Sequence, residues 1–217
     1  MIFVSLNVSA NSESANNANN DNWADEGADE PPASPWQVTG FIEAAHGQFL
    51  QANVSQKSTS LSEVRARVNI DYSHELFDAT GKLDSYYDHV LAKTIFQTRE
   101  LSLSASPFSF VDIKAGRQVL TWGTGDYLFL NDLFAKDWQS FFSGRADEYL
   151  KAPSNSVRTN WFYKAVSFSL VWTPEFTSDN YINGERFSFY SPQVQQIIAP
   201  ANGFSVEKNH KSQWSAR

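Results

Sequence analysis

The chain contains no cysteine, which excludes a disulfide scaffold and a thiolate metal site. It also lacks any apolar run approaching the roughly 18 residues that a membrane-spanning helix requires, so a helical membrane protein is excluded. Basic residues are scarce: 17 Lys and Arg stand against 24 Asp and Glu, for a formal charge of -7. A nucleic-acid partner would need clustered basic side chains, so none is expected. Metal-binding and catalytic signatures are missing as well. His46, His74, His89 and His210 are not spaced as a metal pair, and no nucleophile elbow, phosphate loop or dinucleotide fingerprint occurs. Gly123-Thr124-Gly125-Asp126 has no lysine to hold phosphate and reads as a surface turn. The residues point to no enzyme, no cofactor and no metal.

Aromatic residues, in contrast, are plentiful. They make up 15% of the 217 residues, with 17 Phe, 8 Tyr and 7 Trp, although apolar residues as a whole are only 41%. Mean hydropathy is negative. A closed β-barrel satisfies these facts together, because each strand needs only one apolar face while the ring leaves no backbone group unpaired in lipid.

Residues 1–35 are expected to lie outside that fold. Met1 to Val8 (MIFVSLNV) reads equally as the tail of a signal peptide or as an ordinary N-terminus. Asn11 to Pro35 is an Asn, Ala, Asp and Glu lead-in that cannot bury enough apolar area to order itself. Its acidic stretch is a poor calcium loop, since Trp23 stands where a ligand oxygen is needed.

From Trp36 onward the period is two. Between Glu63 and Tyr72, Val64, Ala66, Val68, Ile70 and Tyr72 alternate with Glu63, Arg65, Arg67, Asn69 and Asp71. Such a strand has one apolar and one charged face. Leu101, Leu103 and Ala105 alternate with serines, and Val111, Ile113 and Ala115 alternate with Asp112 and Lys114. Aromatic residues lie near the ends of several apolar faces, as membrane-boundary rings do.

The strands predicted are 36–51, 61–73, 82–92, 96–106, 110–122, 157–163 and 165–173, with turns at Asp78-Ala79-Thr80-Gly81 and Ser106-Pro107. Facing is unassigned in the first of these, where Phe41, Ile42, Ala44 and Ala45 do not alternate cleanly. One long connection runs from about Thr124 to Pro153, and its part Tyr127 to Phe142 is apolar enough to pack on something. It reads as an inward-folded loop that narrows the pore, with Asp132 and Asp137 contributing charge, or as a short helix capping the barrel mouth. Gln213 to Arg217 reads as the opening of a further strand. The fold expected is all-β, an antiparallel transmembrane β-barrel represented by about seven or eight strands of a larger ring. Residues 36–217 form its N-terminal part.

Three stretches, VDIKAGRQVLTWGTGD at 111–126, YLFLNDLFAKDW at 127–138 and DEYLKAPSNSV at 147–157, resemble a family of proteobacterial outer-membrane porins of uncharacterised substrate. That family is related to alginate-export-like barrels. Gly116-Arg117-Gln118 with Trp122, Gly123 and Asp126 is the most specific piece, and Ile182 to Arg186 is similar to the family's next segment. The resemblance covers roughly residues 36–217. It implies a cofactor-free barrel in the bacterial outer membrane, in contact with lipid, that passes or exports an unnamed solute or polymer.

The residues themselves leave Arg117 three readings: pairing with a carboxylate such as Asp112 or Asp126, snorkelling at the membrane edge, or contacting solute. The pore-lining candidates are Glu63, Arg65, Arg67, Asn69, Asp71, Asp112 and Lys114, a set of mixed sign from which strong selectivity is not expected. Two rival readings remain, a soluble secreted β-sandwich that binds carbohydrate and an outer-membrane barrel whose lumen holds a catalytic group or clasps a periplasmic partner.

Overall fold

Alternating residues that cannot bury both faces form sheet, and the computed structural model is almost wholly β. It describes residues 2–10, 34–50, 57–122, 132–199 and 210–217. The elements are β1 (Ile2–Ala10), β2 (Trp36–Gln48), β3 (Thr59–His74), β4 (Phe77–Asp88), β5 (Lys93–Phe108) and β6 (Val111–Gln118). They continue with α1 (Trp138–Ser143), a single 3-10 turn (Asp147–Tyr149), β7 (Ser154–Tyr163), β8 (Val166–Thr173), β9 (Phe189–Ser191), β10 (Gln196–Ile198) and β11 (Gln213–Ala216). Nine strands form one sheet in the order β1-β2-β3-β4-β5-β6-β7-β8-β11, every neighbouring pair antiparallel, while β9 and β10 make a separate hairpin. Among the described residues the edge strands β1 and β11 do not meet, so the sheet is open rather than closed into a ring.

Nine strands exceed the seven or eight expected. The extra one is β1, whose residues read from sequence as a leader or a loose terminus and which pairs along its length with β2. The acidic stretch at 11–33 lies outside the described residues. β4 begins five residues earlier than predicted, at Phe77 rather than Lys82, because the chain reverses at Glu75-Leu76 and not at Asp78 to Gly81. Asp78, Ala79, Thr80 and Gly81 are paired within the strand instead. Similarly, β5 runs through Pro107 to Phe108 by way of an irregularity between Ala105 and Phe108.

Three connections, Glu75-Leu76, Ser109-Phe110 and Lys164-Ala165, are two-residue turns at one end of the sheet. The β2–β3, β4–β5, β6–β7 and β8–β11 connections lie at the other end, and two of these are long.

Gly116 sets the spacing between β5 and β6. Its φ is +126°, and a Cβ there would stand 2.3 Å from the Leu101 carbonyl oxygen. The glycine serves close approach of β5 rather than a bulge, since the register of β6 is continuous through it on both sides. Gly116→Ala is expected to cost roughly 2 to 4 kcal/mol from backbone strain plus overpacking, read as a fall in the urea-unfolding midpoint.

Candidate charged site on the polar face

Cross-strand partners share a face, so the register sorts the side chains without ambiguity. One face carries Ile42, Ala66, Val64, Val68, Leu83, Tyr87, Leu101 and Leu103; the other carries Glu43, Glu63, Arg65, Arg67, Asp84, Asp88 and Lys114. The usual burial is inverted. Val64 and Val68 are 47% and 44% exposed, while the intervening Arg65 and Arg67 are 1% and 5% exposed.

The polar face is buried because the β6–β7 connection folds onto it. Asp137 caps α1 by accepting from the Ser140 amide at 2.8 Å, and Gly144 ends the helix in the left-handed conformation. The chain then delivers Arg145, Glu148 and Tyr149 onto β3 and β4. The short helix expected as one alternative is present as α1, and the segment that carries it lies against the polar face of the sheet. Asp132 and Asp137 are spent within it: Asp137 also accepts from Asn180 Nδ2 at 2.9 Å, and Asp132 is 3.4 Å from Lys151 Nζ.

Arg65 lies at the centre. Its two terminal nitrogens donate to Asp84 Oδ2 and Glu63 Oε1, each at 2.8 Å, and its guanidinium is stacked between the rings of Tyr86 and Tyr149 at 4.0 and 4.2 Å. Arg67 forks onto Asp84 at 2.6 and 2.9 Å, donates to the Tyr149 hydroxyl at 2.9 Å, and contacts Glu148. Arg145 closes the second oxygen of Glu63 at 2.6 Å and the Ser140 hydroxyl at 3.0 Å. Arg99 holds the covering segment by its backbone, donating to the carbonyls of Glu148 at 2.5 Å and Lys151 at 3.1 Å. From the β8–β11 connection, Arg186 pairs with Asp88 and donates to the Ser60 carbonyl at 2.9 Å. Burial holds the Tyr149 phenol well above its ordinary range, so it stays neutral, and burial also pulls the Arg186 guanidinium down.

Four guanidinium groups (65, 67, 145, 186) thus share four carboxylates (63, 84, 88, 148), while Arg99 binds main-chain carbonyls. Such a cluster fixes the covering segment in one geometry through bidentate and stacked contacts that lysine could not make. A second, more open group lies further along the same face, where Glu100 bridges Lys82 at 2.9 Å and Lys114 at 2.5 Å.

The residues singled out from sequence fall in different places. Glu63, Arg65, Arg67, Asn69, Asp71, Asp112 and Lys114 all share the polar face. Only the first three join the buried cluster. Asn69 donates to the Thr39 hydroxyl at 3.2 Å, and exposed Asp112 accepts from Ser106 at 2.7 Å. Arg117 donates its Nε–H to the Thr98 carbonyl at 2.7 Å and has no carboxylate partner among the described residues. Gln118 is buried and donates to the Ser156 carbonyl at 3.3 Å. The Trp122 ring meets Phe134 edge-on at 5.1 Å. Gly123 and Asp126 lie outside the described residues.

Sequence reasoning missed Asp84, Asp88, Arg99, Arg145, Glu148, Tyr149 and Arg186 as members of the cluster. The first two were accessible in principle, since Lys82, Asp84 and Asp88 share a parity that Leu83 and Tyr87 do not, although Ser85 and Tyr86 blur the alternation.

The apolar face is bounded by rings. At its short-turn end Trp36 packs on Tyr72 at 4.5 Å and Trp161 on Phe168 at 5.5 Å; at the opposite end Trp172 packs on Trp214 at 6.0 Å. A groove of about 540 Å³ lies on this apolar side between Trp36, Leu83 and Leu103, with Gly81 and Gly116 in its lining. No protein-family model, no curated protein and no solved structure matches the chain.

Proposed function

We propose that this chain forms part of an outer-membrane β-barrel that passes or exports a solute or polymer, with the polar face lining the lumen and the apolar face meeting lipid. The observation that carries the reading is the inverted burial of β3, where charges are enclosed and valines are left open. In water that arrangement wastes the hydrophobic effect. In a bilayer it is the favourable one.

The dimensions agree. From Val64 to Tyr72 is eight steps of about 3.4 Å, or about 27 Å along the strand, which tilted by about 40° spans about 21 Å, most of the roughly 25 Å band a barrel presents to hydrocarbon. Connection lengths agree in part: three tight turns lie at one end, which the 11–35 stretch between β1 and β2 shares, while the long β6–β7 and β8–β11 connections lie at the other. A soluble carbohydrate-binding sandwich would need a second sheet over Val64, Val68 and Leu101, and none of the described residues supplies one. The open sheet would close with further strands.

In this reading the covering segment narrows the lumen, and the buried cluster anchors it there. Two measurements test the proposal. The full chain should partition with membranes on fractionation and give stepwise conductance in planar bilayers; a monomer freely soluble without detergent would overturn it. Glu148 is half exposed, at 49%, and neutralises Arg67. Glu148→Gln is therefore expected to make the lumen more positive, favouring anions over cations by about fivefold, the equivalent of roughly 1 kcal/mol for one screened charge. Reversal potentials under a salt gradient measure this.

A further inference from the structure

His46 in β2, Ser62 in β3 and His89 just past the end of β4 stand in a row, on the apolar side of the sheet at its long-connection end. His46 pairs with Ser62 across β2 and β3, and the His89 amide donates to the Ser62 carbonyl at 2.9 Å. Ser62 is two residues from Val64 and so shares its face. The His89 ring meets exposed Tyr87 edge-on at 4.6 Å, and Tyr87 is the cross-strand partner of Val64. The row thus lies about 7 Å beyond the last apolar pair, one same-face step along the strands.

Together with Lys57, Ser58 and Thr59 these side chains line a polar pocket of about 260 Å³. Lys57 donates to the Val90 carbonyl and has no carboxylate partner among the described residues. The acidic neighbours Glu63 and Asp88 point to the opposite face and are already paired. The pocket therefore offers an uncompensated ammonium, two imidazole donors and three hydroxyls, with no acid of its own.

We propose that this pocket binds the phosphate of an anionic lipid headgroup whose chains lie against Tyr87 and Val64. The inference rests on the membrane reading above, since it places the pocket at the boundary between hydrocarbon and headgroups. Basic pockets at that level recognise phosphate-bearing lipids by the same donors. The adjoining apolar face favours a lipid over free phosphate, because only a lipid covers both surfaces.

The test uses the full chain reconstituted in phosphatidylcholine vesicles, with and without phosphatidate, and follows thermal unfolding by loss of the β-sheet circular dichroism. Phosphatidate should raise the midpoint by about 3 °C. The triple variant His46→Gln, Lys57→Gln, His89→Gln should match the parent in phosphatidylcholine alone and lose the rise. A chain that enters the vesicles but responds to phosphatidate equally with and without the three substitutions would overturn the site and leave the membrane reading intact. A chain that never enters phosphatidylcholine would overturn both. An equal rise from inorganic phosphate would overturn the lipid as the ligand.

Discussion

Asp84→Ala is expected to lower the unfolding free energy by about 3 to 5 kcal/mol, the range for stripping one partner from a buried ionic group. The Asp84 side chain is fully enclosed and is the shared acceptor of Arg65 and Arg67, receiving three of their hydrogen bonds. Its removal leaves two guanidinium groups in a low-dielectric site with a deficit of acceptors. Glu63 and Tyr149 cannot compensate, because Glu63 is already divided between Arg65 and Arg145. Asp84→Asn, which keeps an acceptor and the volume, should cost less. Urea unfolding of the full chain in detergent compares the two, and equal stability of Asp84→Ala and the parent would remove the cluster from any structural role.

Val68→Arg carries the second large effect and separates the lipid-facing reading from its soluble rival. In hydrocarbon an arginine near mid-bilayer costs on the order of 2 to 4 kcal/mol. In water the same change at a side chain 44% exposed should lie within about 0.5 kcal/mol of neutral. Folding yield into vesicles against urea concentration therefore decides between them. From sequence alone, the neighbouring Arg67→Ala is expected to spare folding. The structure revises that expectation, since Arg67 binds Asp84, Glu148 and Tyr149 and is nearly enclosed. Its loss should now destabilise as well, but equally in lipid and in detergent.

What could be read without coordinates was whatever depends on period two. β3 shows its two faces directly, because Val64 to Tyr72 keeps strict alternation against charged residues. β2 hid its register, which only pairing resolves: Phe41, Glu43 and Ala45 oppose the charged residues of β3, and Ile42 and Ala44 oppose Ala66 and Val64. Turn chemistry misled at Asp78 to Gly81, where Asp78 and Gly81, both good turn residues, are held extended by two neighbouring strands while Glu75-Leu76, with no such residue, makes the reversal. Tertiary pairing overrode local preference there. The cluster was half legible for another reason. Glu63 and Arg145 meet across a sequence separation of 82, and Arg186 reaches Ser60 across 126. Nothing in either local pattern announces a partner that distant.

The enclosure of Arg65 between Tyr86 and Tyr149 bears on how the covering segment can move. Lifting Tyr149 strips a stacked surface from Arg65 and a hydroxyl from Arg67 at once, while Arg99 grips the main chain on either side. Partial withdrawal would forfeit these contacts without regaining water for the stranded cations. Amides from 137 to 150 should accordingly exchange deuterium as one kinetic class, released together in rare whole-segment excursions rather than peeling from an end.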